Sequence, residues 1–177
     1  MAMREDGAAL PEMMRAVVCH GPRDYRLEPV AVPRPAPGEI ILKVHDCGIC
    51  ASDIKCYSGA PLFWGDEYRA AYVDGPVIAG HEFTGEVVAL GDGAGERHAV
   101  AVGDRVVAEQ IVPCGECRYC RTGLYWLCIR ANIFGFKKYV HGGMAEFMKL
   151  PDKALVYKVP DSVSHKHAAL IEPLACA

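Results

Sequence analysis

The chain has 177 residues, 51% hydrophobic and 23% charged, with a formal net charge of -3. That apolar content suffices to bury the core of one globular domain and excludes a disordered chain, while the absence of a basic block argues against a dedicated nucleic-acid surface. No run of about 18 apolar residues is available to cross a bilayer, and the start, MAMREDGAALPEMM, lacks the apolar segment of a signal peptide, so a cytoplasmic location is expected.

Residues 1–13 read as a flexible tail, because Gly7, Pro11 and mixed charges precede the first apolar run, Ala16 to Cys19. An ordered domain is expected over 14–162. Within it, EIILKVHD alternates Ile40, Leu42 and Val44 against Ile41, Lys43 and His45, and EFTGEVVAL, GDRVVAE and ALVYKV also read as strands. Long helical crossovers are missing between them, which predicts a mainly β domain with short helices, built as an antiparallel barrel.

A short helix is predicted over Asp53–Tyr57, capped by Ser52 or Asp53, which puts Cys50 at a strand-to-helix corner. The loop YSGAPLFWGDEYRAAYVDG, with Tyr57, Phe63 and Trp64, has two readings: a pocket wall or an insertion packed on the barrel. GDGAGE reads as a hairpin turn, because glutamate stands where a dinucleotide-binding fingerprint needs its last glycine. Near the end, SVSHKHAALIEPLACA is helical in pattern, and Pro173 is expected to kink or restart the helix immediately after Glu172.

Cys114, Cys117, Cys120 and Cys128 lie in CGECRYCRTGLYWLC. Two-residue spacers turn neighbouring thiolates onto one ion, and the fourth cysteine can close a tetrahedron around zinc. The zinc lobe is placed at about 109–130. A closed four-thiolate site leaves no open position for a substrate, so chemistry is sought elsewhere, at Cys50, His81, Glu82 and Glu172. Of the nine cysteines, Cys19, Cys47, Cys56 and Cys176 are read as packed thiols. His45, His141, His165 and His167 are read as structural or solvated side chains.

CGICASD, GHEFTGEVVALGDGA, CGECRYCRTGLYWLC, VGDRV and ALIEPLACA together resemble the catalytic domain of the zinc-dependent medium-chain dehydrogenases, from about Arg15 to the end. The resemblance implies a GroES-like antiparallel β-barrel with a zinc-binding lobe, and residues 163–177 leading towards a Rossmann domain. It implies two zinc ions, a nicotinamide cofactor (NAD or NADP), and an alcohol or polyol as substrate. Cys50 resembles the first catalytic-zinc ligand and His81 the second, with Glu82 and Glu172 both open for the next place. The IEPL form resembles the sorbitol dehydrogenase branch, where the carboxylate binds zinc directly or through water.

Ser52 resembles the hydroxyl that passes the alcohol proton outward, and Asp53 a carboxylate that orients a ligand. Family members commonly carry histidine five residues after the first ligand, and here that position is Lys55. The chain stops at Ala177, where the family would begin its nucleotide-binding domain, so negligible turnover is expected unless another chain completes it. A homo-oligomer is possible for the complete enzyme; no membrane or nucleic-acid partner is expected. The competing class is a zinc-binding module without catalysis.

Overall fold

A computed structural model describes residues 9–177. Its strands, in chain order, are β1 (Met13–Gly21), β2 (Asp24–Ala31), β3 (Ile40–Cys47), β4 (Val77–Ile78), β5 (Phe83–Leu90), β6 (Arg105–Ala108), β7 (Ile111–Val112), β8 (Asn132–Ile133), β9 (Phe147–Leu150) and β10 (Val156–Lys158). The helices are short: α1 (Ala51–Tyr57), α2 (Pro61–Trp64), α3 (Ala94–His98), α4 (Arg118–Arg121), α5 (His165–Ala168) and α6 (Ile171–Cys176).

Every strand pair is antiparallel. One sheet runs β10-β6-β5-β3-β9, a second runs β2-β1-β4, and β7 pairs with β8 beside the cysteine segment. The two larger sheets are stitched together ahead of β9: Ala16 bridges Ala145, and the Val17 N–H donates to the Met144 carbonyl at 2.8 Å. This closure gives the barrel that the strand rhythm predicts. β2 and β10 remain paired on one side only.

The alternation in β3 has a direct structural meaning. Ile40 and Leu42 enter the main core with Phe83, Val87, Val106, Phe134 and Leu150, whereas Ile41 points to the other face and packs with Met14, Ala16 and Val18 of β1. Period-two geometry puts neighbouring residues on opposite faces, and here both faces are covered, so all three side chains are fully buried. Each such burial stabilises the fold by roughly 1.5–3 kcal/mol. A bulge between Ile41 and Leu42 changes the partner register in β5 from Ala89 to Val87.

Four details differ from the sequence-based expectations. Packing starts before residue 14, since Leu10 is buried and the Val32 N–H donates to the Glu12 carbonyl at 2.9 Å; the rest of the expected tail, 1–8, lies outside the described residues. Helix α1 begins at Ala51, with Cys50 rather than Ser52 or Asp53 at its cap, because the Asp53 carboxylate turns back to accept the Cys50 N–H at 2.9 Å. GDGAGE joins the antiparallel neighbours β5 and β6, but leads into the helical turn α3 instead of a bare hairpin turn. The C-terminal break falls at Ala169–Leu170, ahead of Glu172. Pro173 sits in the first turn of α6, where a missing N–H forfeits no helical bond.

No helix among the described residues is long and apolar enough to cross a membrane.

Candidate metal centres

Two groups of side chains converge with metal-ligand geometry. The first is the cysteine lobe. The ligand atoms of Cys114, Cys117, Cys120 and Cys128 all lie within 4.8 Å of one another. Turns bring them there: α4 follows Cys117 directly, and Gly115 and Gly123 take positive φ values of 77° and 81° to fold the segment back. Backbone amides face the sulfurs, with Cys117 N–H donating to Cys114 Sγ at 3.3 Å and Cys114 N–H to Cys128 Sγ at 3.4 Å.

Those amides favour thiolate. The Cys120 and Ile129 amides bring Cys117 down to about 6, while desolvation pushes Cys120 up to about 12. Four sulfurs this close cannot all ionise without a cation between them. A thiophilic ion of charge two matches this donor set, and the residues present fit zinc.

The second group draws on distant parts of the chain. Cys50 comes from the corner between β3 and α1, and His81 and Glu82 from the junction of β4 and β5; their ligand atoms lie within 4.8 Å of one another. Gly80, at φ 92°, turns the chain so that His81 faces inward, and a Cβ there would stand 2.6 Å from Cys47 Sγ. A Cβ at Gly48 would collide with the Glu82 carboxylate. Both glycines therefore keep space that this cluster uses.

His81 and Asp53 are buried, at 2% and 4% exposure. Asp53 Oδ1 stands 3.6 Å from His81 Nδ1, and neither atom has a hydrogen-bond partner. Ser52 Oγ lies 3.2 Å from His81 Nε2. The Phe136 ring covers the imidazole at 5.3 Å between centroids. Burial raises the Asp53 carboxyl above the ordinary carboxylate range, against the pull of His81. Buried, unpartnered polar atoms are rare enough to need an explanation. A cation held by Cys50, His81 and Glu82 would supply one, since it would draw density from the imidazole and strengthen the Nδ1 contact to Asp53.

Glu172 is buried nearby, on the first turn of α6, but does not share the tight cluster of Cys50, His81 and Glu82. Burial raises its carboxyl, and the Cys176 thiol donates to Oε1 at 3.2 Å. Cys176 thus does more than pack, which corrects the expectation for it; it also accepts a bond from Gln110 Nε2 at 3.4 Å. Cys19 and Cys56 are buried as expected. The His141 ring is structural, its Nδ1 accepting the Ile78 N–H at 3.1 Å. Lys55 is exposed in the last turn of α1.

A cavity of ≈ 620 Å³ opens beside Ser52. The 57–75 loop fulfils both readings offered for it. Phe63 is buried against Phe136, and Trp64 Nε1 donates to the Cys56 carbonyl at 2.7 Å, so the loop packs on the barrel; Leu62, Phe63 and Arg69–Tyr72 also line the cavity. Phe136 and Lys137 complete that wall without having been legible as site residues. No local motif marks them, and only the fold carries them to Ser52.

A closed antiparallel barrel that holds one four-thiolate cluster and one three-donor cluster beside a cavity defines the class. The alcohol dehydrogenase GroES-like domain family matches residues 36–161. The chain belongs to the zinc-type medium-chain dehydrogenases, within their N-terminal GroES-like domain. It is 55% identical over 168 residues to an erythritol/L-threitol dehydrogenase of Mycolicibacterium smegmatis, covering 95% of this chain and 46% of that protein. It is 35% identical to a sorbitol dehydrogenase of Bacillus subtilis, covering 94% of this chain and 44% of that protein.

Among solved structures, it is similar to a 2R,3R-butanediol dehydrogenase of Bacillus subtilis, with a TM-score of 0.73 and 35% identity over 90% of this chain and 44% of that one. A Sinorhizobium meliloti structure, described as a zinc-binding dehydrogenase bound to NADP, superposes with a TM-score of 0.79 at 31% identity, over 94% and 44% of the two chains. The chain spans just under half the length of these relatives.

Proposed function

We propose that this chain is the catalytic-domain portion of a zinc-dependent, NAD(P)-linked oxidoreductase that interconverts a polyol or secondary alcohol and its carbonyl product. The observation that carries the reading is the convergence of Cys50, His81 and Glu82 next to the Ser52 cavity, separate from the closed cysteine lobe. The likeness to dehydrogenases of erythritol, sorbitol and butanediol supports the substrate class. NAD or NADP follows the same likeness, and residues 163–177 then lead towards the cofactor domain. The cytoplasm suits nine free cysteines, since reduced thiols persist there.

On this reading Cys114, Cys117, Cys120 and Cys128 hold a structural zinc, and Cys50, His81 and Glu82 hold a catalytic one. Zinc at the second centre supplies Lewis acidity that lowers the pKa of an alcohol hydroxyl. The chain's own residues manage position and proton. Ser52 Oγ lines the cavity and relays the hydroxyl proton, taking it up as its own hydroxyl proton passes outward to solvent. Asp53, facing Nδ1, fixes the imidazole so that Nε2 is turned to the metal side. Phe136 keeps bulk water off the ring, which strengthens each of these interactions.

Glu172 stands as the reserve carboxylate. It lies outside the tight cluster of Cys50, His81 and Glu82 and accepts a bond from the Cys176 thiol. Zinc content per purified chain, before and after His81→Ala, tests the assignment. Two equivalents falling to one is the expected result. One equivalent, unchanged by the substitution, would mean a purely structural zinc module.

A further inference from the structure

The cavity beside Ser52 has an aromatic floor, Phe63 and Phe136, yet its lining carries three cations, Arg69, Arg130 and Lys137, and no carboxylate. Two of these are already engaged. Arg130 faces Glu116 at 3.6 Å, and the Lys137 ammonium donates to the Tyr72 carbonyl and lies 4.2 Å over the Tyr72 ring. The Arg69 side chain has no carboxylate or carbonyl partner among the described residues.

The side chain is exposed, and its backbone is held by a turn. The Asp66 N–H donates to the Arg69 carbonyl at 2.9 Å, and the Asp66 side chain accepts the Tyr68 N–H at 2.9 Å. Gly65, at φ 79°, lets the backbone pass within a distance that any Cβ would close, 2.6 Å from the Arg69 carbonyl oxygen. A tight turn therefore fixes the Arg69 backbone, and Arg69 is one of the residues that line the cavity. A guanidinium offers five N–H donors and no acceptor, so it reads oxygen atoms.

We propose that Arg69 is a specificity-determining residue: its guanidinium donates hydrogen bonds to the hydroxyls of a short polyol chain remote from the reacting carbon, and so selects polyols over plain alcohols of equal length. This rests on the reading of Cys50, His81 and Glu82 as the centre where the carbinol carbon reacts. The aromatic floor alone would favour a plain alcohol. Without a polyol, the guanidinium gains nothing from an alkyl chain, and a site built to bond a hydroxyl discriminates against analogues that lack it.

The test is a titration of the zinc-loaded, 15N-labelled chain followed by amide chemical shifts, with erythritol, 2-butanol and erythronate as probes. In the unaltered chain erythritol binds more tightly than 2-butanol. Arg69→Leu weakens erythritol binding about fivefold, the scale of an exposed charge-assisted hydrogen bond, and leaves 2-butanol unchanged. Arg69→Lys restores part of the loss. Amide shifts away from the 61–73 segment report directly that each variant is folded.

Equal affinities for erythritol and 2-butanol in the unaltered chain would overturn the proposal, as would erythritol binding indifferent to Arg69→Leu. Tighter binding of erythronate than of erythritol would overturn the choice of a neutral polyol and make this an anion site. If erythritol binds equally well to His81→Ala, the catalytic-centre reading itself fails, and the role of Arg69 in selecting its substrate falls with it.

Discussion

The cysteine lobe and the Cys50 centre hold their donors in opposite ways. All four lobe sulfurs come from residues 114–128, and partly exposed turns and backbone amides aim them. The Cys50 centre takes its donors from the corner between β3 and α1 and from the start of β5, with His81 buried and Cys50 half-buried. A local cluster owes its order to the ion it binds. A cluster gathered by long-range packing is ordered by the barrel before any ion arrives.

That contrast is broken first by taking metal away. Chelation should loosen 111–133, because structural zinc contributes on the order of 10 kcal/mol to the folding of small sites. Amide hydrogen exchange should show protection lost in β7, α4 and β8 while β3 and β5 stay protected. If β3 and β5 open together with the lobe, the two regions are not independent. Cys117→Ser should reproduce the chelated pattern in the lobe alone.

The converse perturbation is a cavity in the barrel. Phe134 is fully buried and meets the Phe83 ring at 5.2 Å, so Phe134→Ala should cost about 3–5 kcal/mol in urea unfolding. It should also weaken metal retention at Cys50, His81 and Glu82, which depend on β5, more than at the four cysteines. Equal loss at both sites would contradict the distinction.

The smallest effect sharpens the electrostatics. Burial raises the Glu172 carboxyl, so in the metal-free chain the folded state holds its proton more tightly than the unfolded state does. Stability from this group is therefore present below the unfolded pKa and falls as pH rises through the folded one. Glu172→Gln should raise the Tm of the metal-free chain near neutral pH and leave it unchanged near pH 4. A variant less stable at both values would show that the ionised carboxylate is favoured by its surroundings.

The strands over 40–47, 83–90, 105–108 and 156–158 were legible because period-two alternation and glycine punctuation are local. Cys50 and His81 were legible as family motifs, but their meeting was not, since thirty residues of intervening chain give no distance. Helix boundaries went astray where a side chain intervened: Asp53 reaches back to the Cys50 amide and starts α1 early. Pro173 was expected to kink or restart the helix immediately after Glu172; a restarted helix does hold it in its first turn, but the break falls earlier, at Ala169–Leu170, because the sequence pattern does not tell a first turn from an interior one.

By itself, the sequence determined the cluster of four cysteines and the antiparallel β character, and it named the candidate donors, since those depend on short spacings and on side-chain chemistry. Tertiary structure alone brought the ligand atoms of Cys50, His81 and Glu82 within 4.8 Å of one another, set the Cys176 thiol against Glu172, and gave Arg69 and Phe136 one cavity with Ser52. The reason is geometric: strand register and barrel closure convert large separations along the chain into contacts of a few ångströms, and no local pattern encodes that conversion.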